Sequence, residues 1–186
     1  MLIVGVSGSP RMDQNSEKIL EYALNKFREE GHETEKILLR NKTMNPCIAC
    51  DGCSEADLCQ YDDEANEVNK ILKRAAAIFV VTPVYFGSMT AQMKILCDKT
   101  LPLRRNGFLL KGKLGAAIAV GKSRNGGQEL AVKDIHSWML IHGMLIAGDN
   151  SHFGGTVVSE FEDDKIGKET VDGVVESISS YFKVST

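Results

Sequence analysis

Short apolar runs alternate with helical stripes from one end of this chain to the other. Leu2-Ile-Val-Gly-Val-Ser7 stays apolar on both faces until its last residue, as a strand covered on both sides should. Behind it, Ile19, Leu20, Ala23, Leu24 and Phe27 share one face of a helix, with Gly31 placed as its stop. Glu33 to Leu39 reads as the second strand. Val68, Ile71, Leu72 and Ala75 mark the next helix, with Asp62 or Asp63 as its cap. Ala76 to Thr82 is a third, wholly apolar strand, followed by a helical stripe of Met89, Met93, Leu96 and Cys97. Lys113 to Val120 is the fourth strand; Ala131, Ile135, Trp138, Met139 and His142 form the helix behind it, ending at Gly143. Met144 to Gly148 reads as the fifth strand, and Val171, Val174, Val175, Ile178 and Phe182 as the last helix.

Strand and helix alternating five times predict an α/β fold, a parallel sheet covered on both faces by right-handed crossovers. Five such strands take the flavodoxin-like, doubly wound order 2-1-3-4-5, whose ligands sit beyond the carboxyl ends of strands one and three. Residues 1–186 read as a single domain of this kind, with 45–62 as a cysteine-rich loop after strand two.

That loop concentrates the chemistry. Cys47, Cys50, Cys53 and Cys59 are spaced C-x2-C-x2-C-x5-C and account for four of the five cysteines. A compact C-x2-C-x2-C run is an iron–sulfur form in which a further cysteine often serves a second cluster; no second set exists here, so Cys59 is expected to complete the same four-thiolate site. Zinc competes for four thiolates, although its usual sites are two C-x2-4-C pairs set further apart. Disulfides are the third reading. Cys97 falls in a helical stripe and reads as a buried, inert thiol. His136, His142 and His152 have no recognised metal-ligand spacing. His152 is expected to pin a loop, and Trp138 to fill a core or interface position.

Three further loops fall at the same sheet edge. Ser7-Gly-Ser-Pro-Arg11, with Asn15 and Ser16 beyond it, lies between a strand and a helix N-terminus, where unpaired N–H groups favour an anion. Neither G-x4-G-K-[ST] nor G-x-G-x-x-G is present, so one terminal phosphate fits better than a triphosphate or a dinucleotide. By itself this loop reads as turn and cap chemistry. Pro83-Val-Tyr-Phe-Gly-Ser88 offers an aromatic pair, Tyr85 and Phe86, beside a tight turn closed by Gly87. Gly121-Lys-Ser-Arg-Asn-Gly-Gly127 adds close backbone approach and the cations Lys122 and Arg124. Phosphate loop, stacking loop and glycine-rich loop together predict a flavin mononucleotide site, with positive charge near the ring's pyrimidine edge.

A net charge of −3 gives no electrostatic reason to expect nucleic acid, and 43% hydrophobic with 25% charged residues is ordinary for a globular protein. The first residues show no basic leader or small-residue cleavage site, and no apolar run approaches the ~20 residues that span a bilayer. A cytoplasmic protein with no membrane partner is the expectation. Asp51, Glu55, Asp57, Asp62 and Asp63 make the cysteine loop acidic, which argues against an acidic partner docking directly on it.

Gly5-Val-Ser-Gly-Ser-Pro-Arg11, Pro46-Cys-Ile-Ala-Cys-Asp-Gly-Cys53, Pro83-Val-Tyr85 and Ser123-Arg-Asn-Gly-Gly-Gln-Glu129 resemble the archaeal iron–sulfur flavoproteins. Ile141-His-Gly-Met144 and Gly148-Asp-Asn-Ser-His-Phe-Gly-Gly155 extend the resemblance over most of the chain. It implies a fold like that of the NAD(P)H-dependent FMN reductases, with a 4Fe–4S cluster on Cys47, Cys50, Cys53 and Cys59. It also implies FMN as the flavin, for which the three loops offer Ser7, Ser9, Arg11, Asn15, Ser16, Pro83, Val84, Tyr85, Phe86, Gly87, Ser123, Arg124, Gly126 and Gly127. A homodimer or homotetramer and ferredoxin as electron donor follow from the same resemblance, and the acceptor stays open, with dioxygen or peroxide as candidates. Two other functions stay open: an NAD(P)H-dependent FMN or quinone reductase whose cysteine loop is structural, with zinc, and a non-enzymatic zinc-stabilised scaffold. No proton-transfer residue is demanded by the sequence.

Overall fold

The computed structural model describes residues 1–184, the side chain of Val184 excepted. Its elements run β1 (Leu2–Ser7), α1 (Asn15–Glu29), β2 (Glu33–Leu38), a single 3-10 turn (Leu39–Asn41), α2 (Ala65–Arg74) and β3 (Ala77–Pro83). They continue with α3 (Ala91–Lys99), α4 (Leu101–Arg105), β4 (Leu114–Gly121), α5 (Gln128–Ile141), β5 (Leu145–Ile146), β6 (Gly155–Val158) and α6 (Lys165–Val184). All strand pairs are parallel, in the order β2-β1-β3-β4-β5, with β6 also on β4. The flavodoxin-like order expected from the alternation is the order found.

Side-chain alternation along the central strands splits the core into two layers. On β1, Val4 and Val6 join Ile78 and Val80 of β3 and Ala117 and Ala119 of β4 under α2, α3 and α5. Ile3, Phe79, Val81 and Ile118 face the other way, onto Leu20, Leu24 and Phe27 of α1 and Val171, Val174 and Ile178 of α6. Burial on both faces is why these strands read as unbroken apolar runs. Gly5 lets α1 approach: a Cβ there would lie 2.6 Å from Leu20 and 2.9 Å from Phe79.

The fifth sheet position differs from the expected run Met144–Gly148. Leu145 and Ile146 pair with Leu114 and Gly115, the chain leaves the sheet, and Gly155–Val158 returns to pair with Ile118–Gly121. The excursion has a local cause. The buried carboxylate of Asp149 accepts from the backbone N–H groups of Ser151 and His152 and from His152 Nδ1, while Asn150 adopts a φ of 70°. Such a side-chain-closed turn competes with strand pairing. The short helix α4 was likewise absent from the apolar pattern; Pro102 lies in its first turn, where a missing N–H costs nothing.

Candidate functional site

The carboxyl ends of β1, β3 and β4 open into a cavity of about 400 Å³. Its floor is the β1–α1 loop. Ser7 is fully buried, and its Oγ accepts from Ser9 N at 3.3 Å. Ser9 Oγ in turn accepts from Arg11 N and donates to Arg11 O, both at 3.2 Å, winding the loop tightly before the helix. Gly8 sits where a Cβ would meet Met93, Thr82 and Thr90 at 3.1–3.2 Å, and Thr90 Oγ1 donates to Gly8 O at 2.7 Å. The loop is thereby fixed to the start of α3. Gln14, the N-cap of α1, makes no side-chain cap; its carbonyl accepts from Glu17 N at 2.9 Å, which leaves the N–H groups of Asn15 and Ser16 to face a ligand.

Ser9, Arg11, Asn15, Ser16, Pro83, Val84 and Tyr85 all line this cavity, as the sequence led us to expect. Gln14, Val120, Gly121, Lys122, Ser159 and Glu160 complete it. Of the two cations in the third loop, Lys122 lines the cavity. The Ser159–Glu160 wall has no signature in the sequence, because it depends on β6 lying beside β4; Ser159 N donates to Gly121 O at 2.8 Å. Asn15 faces this wall: its Nδ2 donates to Ser159 O at 2.7 Å and its Oδ1 accepts from Phe161 N at 3.2 Å. Asn15 therefore builds the cavity as much as it lines it.

Several residues of the second and third loops do not line this cavity. Tyr85 and Ser88 exchange both backbone hydrogen bonds, at 3.0 and 3.1 Å, around Phe86 and Gly87 with φ of 50° and 77°. That is a two-residue type I′ turn, and it throws the Phe86 side chain fully into solvent. Gly87 and Gly127 pack on one another behind the turn: a Cβ on Gly127, where φ is 100°, would lie 2.7 Å from Gly87 Cα. Ser123 O accepts from Gln128 Nε2 at 2.8 Å, and Gly126 lies over Ser123. Arg124 and Gly127 border a separate groove with Leu130, Asp164 and Ile166. Phe86, Gly87, Ser123, Arg124, Gly126 and Gly127 thus shape the rim without lining the cavity.

The cysteine loop is a second, differently made site. All five cysteines are unpaired, and Cys47, Cys50, Cys53 and Cys59 together border a cavity of about 60 Å³. Among the described residues no three His, Cys, Asp or Glu side chains close on a point that would hold a single metal ion. Positive φ at Ala49 (52°) and Asp51 (60°) reverses the chain between the first three cysteines, the winding that turns N–H groups inward in anion-binding nests. Cys97 stays apart in α3, and burial pushes its thiol up to about 12, consistent with an inert core residue.

Residues from distant elements hold this loop. At its neck, Asp63 accepts from Asn45 N and Ala65 N at 3.0 Å, and Glu64 accepts from Thr43 N at 2.6 Å. Asp63 thus caps the start of α2, as expected, and also closes the loop. Burial pushes the Asp63 carboxyl up, but the N–H of Asn45 and the Lys99 ammonium outweigh it and hold it below the usual range. Asn66 grips Cys59 by both backbone groups, Oδ1 accepting from its N–H at 2.8 Å and Nδ2 donating to its carbonyl at 3.0 Å. Asn106 donates to Cys53 O at 3.0 Å and to Ala56 O at 2.7 Å. Lys99 Nζ lies 3.1 Å from Cys59 Sγ, and Arg105 Nη1 lies 3.7 Å from Cys53 Sγ. None of these partners was legible from the cysteine spacing.

The loop is also less acidic than its sequence reads. Asp51 pairs with Arg105, Asp57 with Lys73 and Asp63 with Lys99, at 2.8, 2.5 and 2.9 Å.

The NADPH-dependent FMN reductase family model matches residues 1–156, which include both cavities' main loops. An iron–sulfur flavoprotein of Methanosarcina thermophila is 46% identical over 99% of this chain and 96% of its own length. Another, from Methanocaldococcus jannaschii, is 44% identical over 99% and 98%. Among solved structures, an NADH:FMN oxidoreductase in its apo form superposes with a TM-score of 0.70 at 21% identity, covering 96% of this chain and 89% of that one. An archaeal flavodoxin gives 0.64 at 19%, covering 97% and 98%; these two show the fold. This chain belongs to the NADPH-dependent FMN reductase family, on the branch of the archaeal iron–sulfur flavoproteins. Among the described residues, no helix is long and apolar enough to cross a membrane.

Proposed function

We propose that this chain is an electron-transfer flavoprotein that carries FMN in the cavity at β1, β3 and β4 and a 4Fe–4S cluster in the cysteine loop. One observation carries the reading: a single chain holds an anion-ready cavity at the sheet's switch point and, separately, four compactly spaced cysteines that border one small cavity. A lone zinc ion draws its sulfurs to about 2.3 Å, whereas a cube of iron and sulfide keeps them apart. The names of the two archaeal relatives support both cofactors.

Ser9, Arg11, Ser16 and the first-turn N–H groups of α1 would bind the phosphate. Pro83, Val84 and Tyr85 would border the ring on one side and Val120, Gly121 and Lys122 on the other, with Lys122 offsetting negative charge on it. Cys47, Cys50, Cys53 and Cys59 would ligate the iron. Bound, the cluster moves one electron at a time and the flavin stores two, so the pair converts single-electron delivery into two-electron output. The donor is then a one-electron carrier such as ferredoxin, the acceptor dioxygen or peroxide, and the working form a homo-oligomer.

The test is an anaerobic visible spectrum with flavin, iron, acid-labile sulfide and zinc assayed on one sample, followed by reduction with ferredoxin or with NADPH. Flavin with equal iron and sulfide, bleached by reduced ferredoxin, is expected. The family's description favours a second reading, direct reduction by NADPH. Rapid bleaching by NADPH in a sample holding zinc and no sulfide would establish that one instead.

A further inference from the structure

Four ligating cysteines account for the thiols but leave unexplained a buried lysine lying against one of them. The side chain of Lys99 is 2% exposed, and its Nζ reaches Asp63 Oδ2 at 2.9 Å and Cys59 Sγ at 3.1 Å. Burying an ammonium is costly unless it is paired, and a neutral donor would serve as well to tie the loop down. The position is also held firmly. Asn69 Nδ2 donates to Lys99 O at 2.9 Å, and the next residue, Thr100, is bonded to both Trp138 Nε1 and His142 Nε2 at 2.9 Å. A second cation follows the same plan with less burial: Arg105 points Nη1 at Cys53 Sγ while Nη2 pairs with Asp51.

We propose that Lys99, assisted by Arg105, sets the reduction potential of the iron–sulfur centre, making it easier to reduce than the cysteine loop alone would. The inference rests on the cluster reading given above. Reduction adds one electron, and so one negative charge, to a centre bound through these sulfurs; nothing else in the chain need change. Charge and hydrogen bonds at the ligand sulfurs are the protein's levers on such a potential. A fixed ammonium at 3.1 Å from Cys59 Sγ, out of water, stabilises the reduced form more than the oxidised one. Asp63 serves as the anchor for that ammonium, its remaining bonds going to the backbone at the loop's neck. Arg105 acts in the same direction but more weakly, since its side chain is 34% exposed and screened.

The experiment is a spectroelectrochemical titration of the anaerobic holoprotein, comparing wild type with Lys99→Met, Lys99→Arg and Arg105→Gln, with iron and sulfide assayed in each. In Lys99→Met the reduced-to-oxidised ratio of the cluster at a fixed potential should fall at least tenfold, about 59 mV for a one-electron couple, while the FMN couple stays in place. Lys99→Arg should keep most of the wild-type potential, and Arg105→Gln should shift it the same way by less. An unmoved midpoint in Lys99→Met, with iron and sulfide intact, overturns the proposal. If Lys99→Met fails to hold a cluster, Arg105→Gln decides, and an unmoved or raised midpoint there overturns it. A wild-type chain lacking iron and sulfide overturns the cluster reading itself.

Discussion

The two cavities lie on one chain and are built by opposite means. The flavin-type cavity rests mainly on backbone, strand ends and a helix N-terminus, with the side chains of Ser9, Asn15 and Thr90 pinning its loops. Its walls inherit their rigidity from a sheet whose central strands are wholly buried. The cysteine loop has no regular secondary structure between the 3-10 turn and α2, and is held by side chains: Asp63, Asn66, Lys99, Arg105 and Asn106. A site made of backbone tolerates changes in side chains, whereas a site made of side chains depends on each one. The two should therefore fail separately.

The largest expected effect is loss of one cofactor with retention of the other. Cys59→Ala should abolish or convert the cluster while leaving FMN bound at wild-type stoichiometry; parallel loss of both would show the sites to be one unit. Next comes acid. Burial holds the imidazole of His142 down to about 4, so it is neutral in the folded chain, whereas the unfolded chain titrates near 6.5. As the pH falls from 6.5 to 4 the unfolded state takes up a proton that the folded state does not, and stability declines, by up to about 3 kcal/mol. His142 bonds Thr100 directly behind Lys99, so hydrogen exchange should rise first around the cysteine loop. His142→Leu should flatten the pH dependence measured by chemical denaturation.

A smaller effect belongs to the flavin side. Arg11→Ala should weaken FMN binding by roughly ten- to a hundredfold, the worth of about one charged hydrogen bond, with iron content unchanged by metal assay. Smallest is Asn66→Ala, which frees both backbone groups of Cys59 at a cost of about 1–2 kcal/mol. Protease cleavage within 45–62 should quicken while the flavin cavity keeps its affinity.

What could be read in advance follows the same division. Val4, Ile78 and Ala117 announce buried strands because burial on both faces demands apolar residues whatever their neighbours are. The four ligand candidates are close in sequence, so spacing alone exposes them. The partners that hold them come from elsewhere: Lys99 is 40 residues from Cys59, and Arg105 is 52 from Cys53. No local pattern carries such pairs. Phe86 shows a different limit, since an aromatic beside a glycine reads as a stacking surface, while the I′ turn that directs it into solvent is set by backbone φ. The Ser159 wall was hidden because a turn built on Asp149 leaves eight residues between β5 and β6, so the final strand segment begins beyond the apolar run.

That interrupted strand also governs how copies of this chain can meet. Parallel sheets invite a further strand at any continuous edge. Here one edge, β2, carries Glu33, Glu35 and Lys36, and the other is broken between Ile146 and Gly155. The first border is six residues long but lined with charge, and the second is interrupted, so neither is a flat apolar edge that invites a further strand. Charge on one border and a break in the other guard the fold against growing, strand by strand, into a fibre.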